Sequence, residues 1–298
     1  IMSLIACRML PFSNDKDTGM WQSVYESASK EAEEKDAYVE LLSPEQMNGY
    51  SQADCLKIGI ASQVDGIILE ADGSKEEQHL INEALKEKIP VVTVMTDDTA
   101  TGRISFVGLN SYQTGSAYTE QISGMLKAQG TTSVMFLSTS SSKTQETNLV
   151  YSQVKKELEA QKKTGQSVDL TEYCVDSSAD FDTEEFVRDM FVNDENLPDV
   201  LVCMDEVVTE CVYQALIDYN QVGNVKVIGF YYSDVILDAI DKEIISSAIA
   251  LDMDEIGRYS VNALDEYLSL GHSNNYYSVN QHVITKENTK DYRTEDEK

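Results

Sequence analysis

The sequence is poor in basic residues, in histidine and in cysteine pairs, and each shortage removes a class of explanation. Lysine and arginine number 23 against 52 aspartates and glutamates, a formal net charge of −29. A surface of that sign repels phosphate backbones, so no nucleic-acid partner is expected. The 3 histidines, His79, His272 and His282, are scattered and have no plausible catalytic partner in sequence, so no catalytic residue is assigned. There is no GxGxxG, GxxxxGK[ST] or HExxH motif and no EF-hand-like spacing among the acids, so neither a cofactor nor a metal is expected. The 5 cysteines form no CxxC pair, and Cys7, Cys174 and Cys203 fall in apolar strand-like runs, as buried free thiols do. No apolar run approaches the ~18 residues of a membrane span. Ile1–Cys7 reads as a strand with no basic segment ahead of it, as in a mature or trimmed chain whose export segment is not included.

What is present is an alternation of strand and helix patterns over 298 residues, a length that suits two domains. Met2–Leu10 and Tyr38–Leu42 read as strands, with an amphipathic helix over Thr18–Lys35 between them. Gly66–Leu69 is a third strand and Ile89–Met95 a fourth, after which Ile104–Val107 runs into Gly108-Leu109-Asn110. From Ser111 the series restarts: helix, strand Ser133–Leu137, a Ser/Thr-rich loop, helix, strand Ser167–Val175, helix, then strands Val200–Cys203, Val225–Phe230 and Ile245–Ala250. A long helix Asp254–Leu270, a last strand Tyr276–Ile284 and a charged tail Lys286–Lys298 close the chain. The reading is α/β with a doubled parallel sheet: residues 1–109 with 252–281 form one lobe and 110–251 with 282–298 the other. Ligands of open parallel sheets sit beyond the carboxyl ends of the strands, so a cleft lined by those loops is the expected site.

Six segments then carry a family likeness. They are Asp65-Gly66-Ile67-Ile68, Ile89-Pro90-Val91-Val92-Thr93, Phe106-Val107-Gly108-Leu109-Asn110, Ala179-Asp180-Phe181-Asp182, Met204-Asp205-Glu206 and Val227-Ile228-Gly229-Phe230. In this order and spacing the chain resembles the type I periplasmic binding proteins, most of all the group of ribose-binding proteins and LacI effector domains. The resemblance implies two Rossmann-like lobes joined by a three-crossing hinge and ligand capture by domain closure. It also implies an extracytoplasmic place, periplasmic or lipoprotein-anchored, and delivery to a membrane permease or a sensor protein. An ABC importer's solute-binding protein is the first functional expectation. A ligand-sensing domain for a histidine kinase or chemoreceptor is the second.

The family's pocket positions fall on Met20-Trp21 at the first helix start, on Phe181 and on Asp205. Elsewhere the chain departs from it. Met95-Thr96 stands where ribose-type members have an Asp-Arg pair, Met204 where they have Asn, Tyr231 where they have Asp, and Val150 near the place of an Arg. Hydrogen bonds to charged groups contribute roughly 1.5 kcal/mol each. Losing four removes about 6 kcal/mol, while micromolar binding amounts to only about 8. A simple ribose-type sugar in the usual pose is therefore not expected. The small-molecule ligand is read as sugar-like, aromatic or amine-bearing, because strand-end carboxylates stand beside aromatic residues. The expected ligand-binding set is Thr18, Met20, Trp21, Glu70, Met95, Thr96, Asp97, Asn110, Phe181, Met204, Asp205, Tyr231 and Asp252. Ser140–Lys143 matches SxxK and Lys163-Thr164-Gly165 matches KTG, but with one helix between them and no SDN both read as chance.

Overall fold

The computed structural model describes residues 2–7, 18–42, 50–139, 144–175, 182–193 and 197–293. The chain divides into two compact units, Ile1–Leu109 with Asp252–Asn280, and Asn110–Leu251 with Gln281–Lys298. The first unit begins β1 (Met2–Cys7), α1 (Thr18–Glu33), β2 (Ala37–Leu42), α2 (Gln52–Ala61), β3 (Gly66–Leu69), α3 (Lys75–Lys86), β4 (Val91–Val94) and β5 (Ser105–Leu109). The second runs α4 (Ser111–Met125), β6 (Gly130–Thr139), α5 (Gln145–Ala160), β7 (Gln166–Val175), α6 (Asp182–Val192), β8 (Val200–Cys203), α7 (Glu206–Asp218), β9 (Lys226–Phe230), α8 (Asp234–Asp241) and β10 (Ser247–Leu251). The chain then returns through α9 (Met253–Leu270) and β11 (Tyr276–Val279) to the first unit, and ends in the second with β12 (Gln281–Ile284).

The two sheets repeat one order. The first is β11-β5-β4-β3-β1-β2 and the second β12-β10-β9-β8-β6-β7. All pairings in the first sheet are parallel, whereas β12 lies antiparallel on β10 in the second. The central strands are short and wholly buried, Gly66-Ile67-Ile68-Leu69 and Val91-Val92-Thr93-Val94 in one unit and Val200-Leu201-Val202-Cys203 in the other. Continuous apolar runs of this kind arise because helices cover both faces of a parallel sheet.

Helix starts follow the polar residues that the sequence places there. Ser51, Ser74, Asn110, Thr144, Asp205 and Asp252 each accept a backbone N–H of the first turn they precede. In the first unit α9 packs on α1, and Gly257 makes the approach possible. A Cβ at Gly257 would overlap the Val24 carbonyl oxygen and crowd the Ala28 amide.

The last strand expected over Tyr276–Ile284 is two strands, divided at Asn280. Its amide donates to Glu255 Oε2 at 2.8 Å, its side-chain amide donates to Glu255 Oε1 at 3.0 Å, and its carbonyl accepts the Asp252 amide at 2.9 Å. Glu255 thus takes up the Asn280 amide, and Asn280 stands between β11, which ends at Val279, and β12, which begins at Gln281. The described part of the charged tail is tied to α8. Thr289–Tyr292 forms a 3₁₀ turn, Thr289 Oγ1 donates to Asp241 Oδ1 at 2.6 Å, and Arg293 Nη2 reaches Asp238 and Asp241 at 2.7 and 2.8 Å.

Candidate functional site

In the first unit the strand order reverses between β1 and β3, the point at which open α/β sheets leave a crevice beyond the strand ends. Trp21, in the first turn of α1, and Glu70, just after β3, flank it. The Trp21 indole is 2% exposed, and its Nε1 donates to Glu70 Oε2 at 3.4 Å. Glu70 is held from behind as well. Its carbonyl accepts Gln52 Nε2 at 2.7 Å, and the same nitrogen donates to Glu77 Oε2 at 2.7 Å. Glu77 Oε1 accepts the Asp72 amide at 2.9 Å, so one buried carboxyl fixes the whole turn from β3 into α3. Burial, with the charge of Asp72 second, pushes that carboxyl from 4.5 up to about 8. Neither Gln52 nor Glu77 was expected at the site, although the Ser74-x-x-Glu77 spacing of a capping box could have pointed to the glutamate.

One strand further along, Met95 adopts a left-handed backbone with φ of 59°. Its amide donates to the Val107 carbonyl at 2.9 Å, and the Thr96 carbonyl accepts the Ala71 amide at 3.4 Å, which joins the turns after β3 and β4. Asp97 is enclosed. Arg103 grips it through Nε and Nη2 at 2.7 and 2.6 Å, and Thr93 Oγ1 donates to it at 2.9 Å. The Arg103 and Asp97 side chains are 8% and 6% exposed, and Arg103 Nη1 is tied to Asn275. An aspartate–arginine pair does follow the fourth strand, then, but it is closed on itself rather than open to a solute.

The second unit repeats the pattern with other residues. Its order reverses between β6 and β8, and Asp205, after β8, spans that point. Asp205 Oδ1 accepts the Val208 amide at 2.8 Å, capping α7, while Oδ2 accepts the amide and hydroxyl of Thr139 at the end of β6, at 2.9 and 3.1 Å. Met204 is buried, and its amide donates to the Leu137 carbonyl at 2.9 Å. Tyr231, after β9, has φ of 70° and donates its amide to Ile249 at 2.9 Å. Its ring lies 4.7 Å from that of Tyr232, which in turn packs on Tyr292.

Asn110 and Asp252 lie where the chain passes between units, capping α4 and α9. Thr18 and Met20 open α1. Phe181 lies outside the described residues, as do Ser140–Lys143 of the SxxK match. Thus Trp21, Glu70, Thr96 and Met95 gather at the strand ends of the first unit, and Met204, Asp205 and Tyr231 at those of the second. The carboxylates of Asp97 and Asp205 are engaged within their own units. Among the described residues no group of three or more His, Cys, Asp or Glu is placed to hold a metal.

A family model described as a periplasmic binding protein domain matches residues 11–273. No curated protein matches the sequence. Among solved structures, a sugar ABC transporter sugar-binding protein from Bacillus halodurans is 19% identical over 98% of this chain and 100% of that one, with a TM-score of 0.79. GanP, a glucose-galactose binding protein from Geobacillus stearothermophilus, is 20% identical over 96% and 98%, with a TM-score of 0.77. A chain of the XylFII-LytSN complex is 20% identical over 96% and 99%, with a TM-score of 0.74.

Proposed function

Because the chain belongs to the periplasmic binding protein domain family, we propose that it is an extracytoplasmic solute-binding protein that delivers a small molecule to an ABC importer. The family match over most of the chain carries this reading. The strand-end geometry supports it, since both units present well-braced turns at the carboxyl side of their sheets. The solute takes its contacts from Trp21 and Glu70 in one unit and from Met204, Asp205 and Tyr231 in the other. Touching both units gives it the differential affinity that shifts a two-state equilibrium toward a closed form.

The solute is not a simple ribose-type sugar in the usual pose. The charged pair that follows the fourth strand is closed on itself, with Arg103 holding Asp97. What remains favours an aromatic, apolar or amine-bearing molecule. A thermal-shift screen of amines, nucleosides, aromatic acids and sugars, followed by calorimetric titration of the hits, tests this. A tight binder raises the melting temperature by mass action. Micromolar or tighter binding of ribose, galactose or glucose would overturn the solute assignment while leaving the binding-protein role intact.

A sensor domain of the same fold is the second reading, favoured by the structural likeness to a chain of the XylFII-LytSN complex. Copurification with a permease or with a sensor kinase separates the two.

A further inference from the structure

The second unit carries a groove that the solute-binding reading does not use. It measures about 550 Å³ and lies where the C-terminal ends of α4 and α5 meet the first half of β7. That size falls within the range of small-molecule sites. β7 is the edge strand of its sheet, and the groove runs along its beginning, Gln166 to Leu170. It therefore belongs to the amino-terminal side of the strands, the opposite pole from the turns that hold Met204, Asp205 and Tyr231.

Its walls combine two chemistries. Leu126, Leu158, Val168 and Leu170 supply an apolar floor, Val168 and Leu170 falling on one face of β7 by the two-residue strand period. Lys155, Lys162 and Lys163 stand around it against a single acid, Glu159. Among the described residues none of these three ammonium groups has a salt-bridge partner, although the chain holds 52 acids. In a chain of net charge −29 a local cationic rim over leucine and valine is out of keeping with the surface as a whole. At physiological salt, charges more than about 8 Å away are largely screened, so the rim, and not the global charge, governs what enters.

We propose that this groove is a second binding site, for an amphipathic anion: an acyl chain of medium length ending in a carboxylate. The tail lies on Leu126, Leu158, Val168 and Leu170, and the head group meets the lysines. A polyhydroxylated sugar fits poorly, because the apolar floor cannot answer its hydroxyls.

The test is calorimetric titration of the full chain with dodecanoate below its micelle concentration, with methyl shifts of Val168 and Leu170 followed by NMR. One-to-one binding that moves those methyls is expected. Lys155→Glu with Lys162→Glu weakens it by about tenfold or more, as reversing two surface charges should. Both residues are exposed, so the double variant keeps the wild-type melting temperature. Leu126→Ser, probing the floor, also weakens binding. The proposal is overturned by absence of dodecanoate binding, by an unchanged affinity in the lysine variant, or by equal binding of dodecanol. It is also overturned by capture on phosphatidylglycerol vesicles without binding of the free acid, which would make the groove a membrane-facing surface. Trp21→Ala and Asp205→Asn leave dodecanoate binding unchanged, so failure here is distinguishable from failure of the solute reading.

Discussion

Met95 and Tyr231 occupy the same place in their two sheets. Each follows the fourth strand of its unit, each has a left-handed backbone, with φ of 59° and 70°, and each donates its amide to the fifth strand, at Val107 and Ile249. Neither is glycine, the residue that adopts such angles without cost. Strained backbone of this kind gathers at functional turns, where the surroundings over-determine it.

Met95→Gly should therefore be more stable than Met95→Ala by about 1 kcal/mol, since both lose the side chain and only glycine releases the strain. Urea denaturation of the pair measures the difference. Equal midpoints would mean that the left-handed angle costs nothing there.

Asp205 serves stability as much as any ligand. Asp205→Ala removes the cap of α7 and takes the Asp205 Oδ2 acceptor away from the Thr139 amide and hydroxyl. A loss of about 1–3 kcal/mol is expected from the two effects together. Thr139→Val should lose less, because the Thr139 amide still donates to Asp205. A melting curve for Asp205→Ala that matches the wild type would show that the brace contributes nothing.

The pair of Asp97 and Arg103 predicts a non-additive cycle. Asp97→Leu alone strands a guanidinium that is 8% exposed, at a cost of about 3–5 kcal/mol. Adding Arg103→Met removes the uncompensated charge and should recover much of that loss. Chemical denaturation of both single variants and the double gives the coupling, and strictly additive losses would contradict it.

Glu77 gives a pH dependence. Its carboxyl titrates near 8 when folded and near 4.5 when unfolded, so the native state holds the proton more tightly. Between those values the folded chain binds more protons, and stability falls as pH rises from about 4.5 to about 8. Below 4.5 the advantage is complete, and above 8 it is gone. Glu77→Gln should flatten this slope, which is read by comparing denaturation midpoints of the two proteins from pH 4 to 9. Parallel curves across that range would exclude the assignment.

Much of the architecture could be read before any coordinates. Four-residue apolar runs such as Gly66–Leu69 and Val200–Cys203, alternating with amphipathic helices, dictate a parallel sheet covered on both faces, and the series restarting at Ser111 dictates two of them. Capping residues such as Ser74, Asn110 and Asp252 mark helix starts because their side chains answer amides only two or three residues away. These are local rules, and sequence contains them in full.

Packing between distant segments settles which polar groups are already answered. Asp97 is gripped by Arg103, and Asp205 is bound by Thr139, from a strand sixty-six residues earlier in the chain. The division of one apparent strand at Asn280 depends likewise on Glu255, twenty-five residues before it. Hydrophobic period is a property of neighbours along the chain, whereas a hydrogen-bond partner is set by strand order, which lays distant strand ends side by side. For that reason the sequence specifies where the carboxylates stand, and the fold alone determines what they hold.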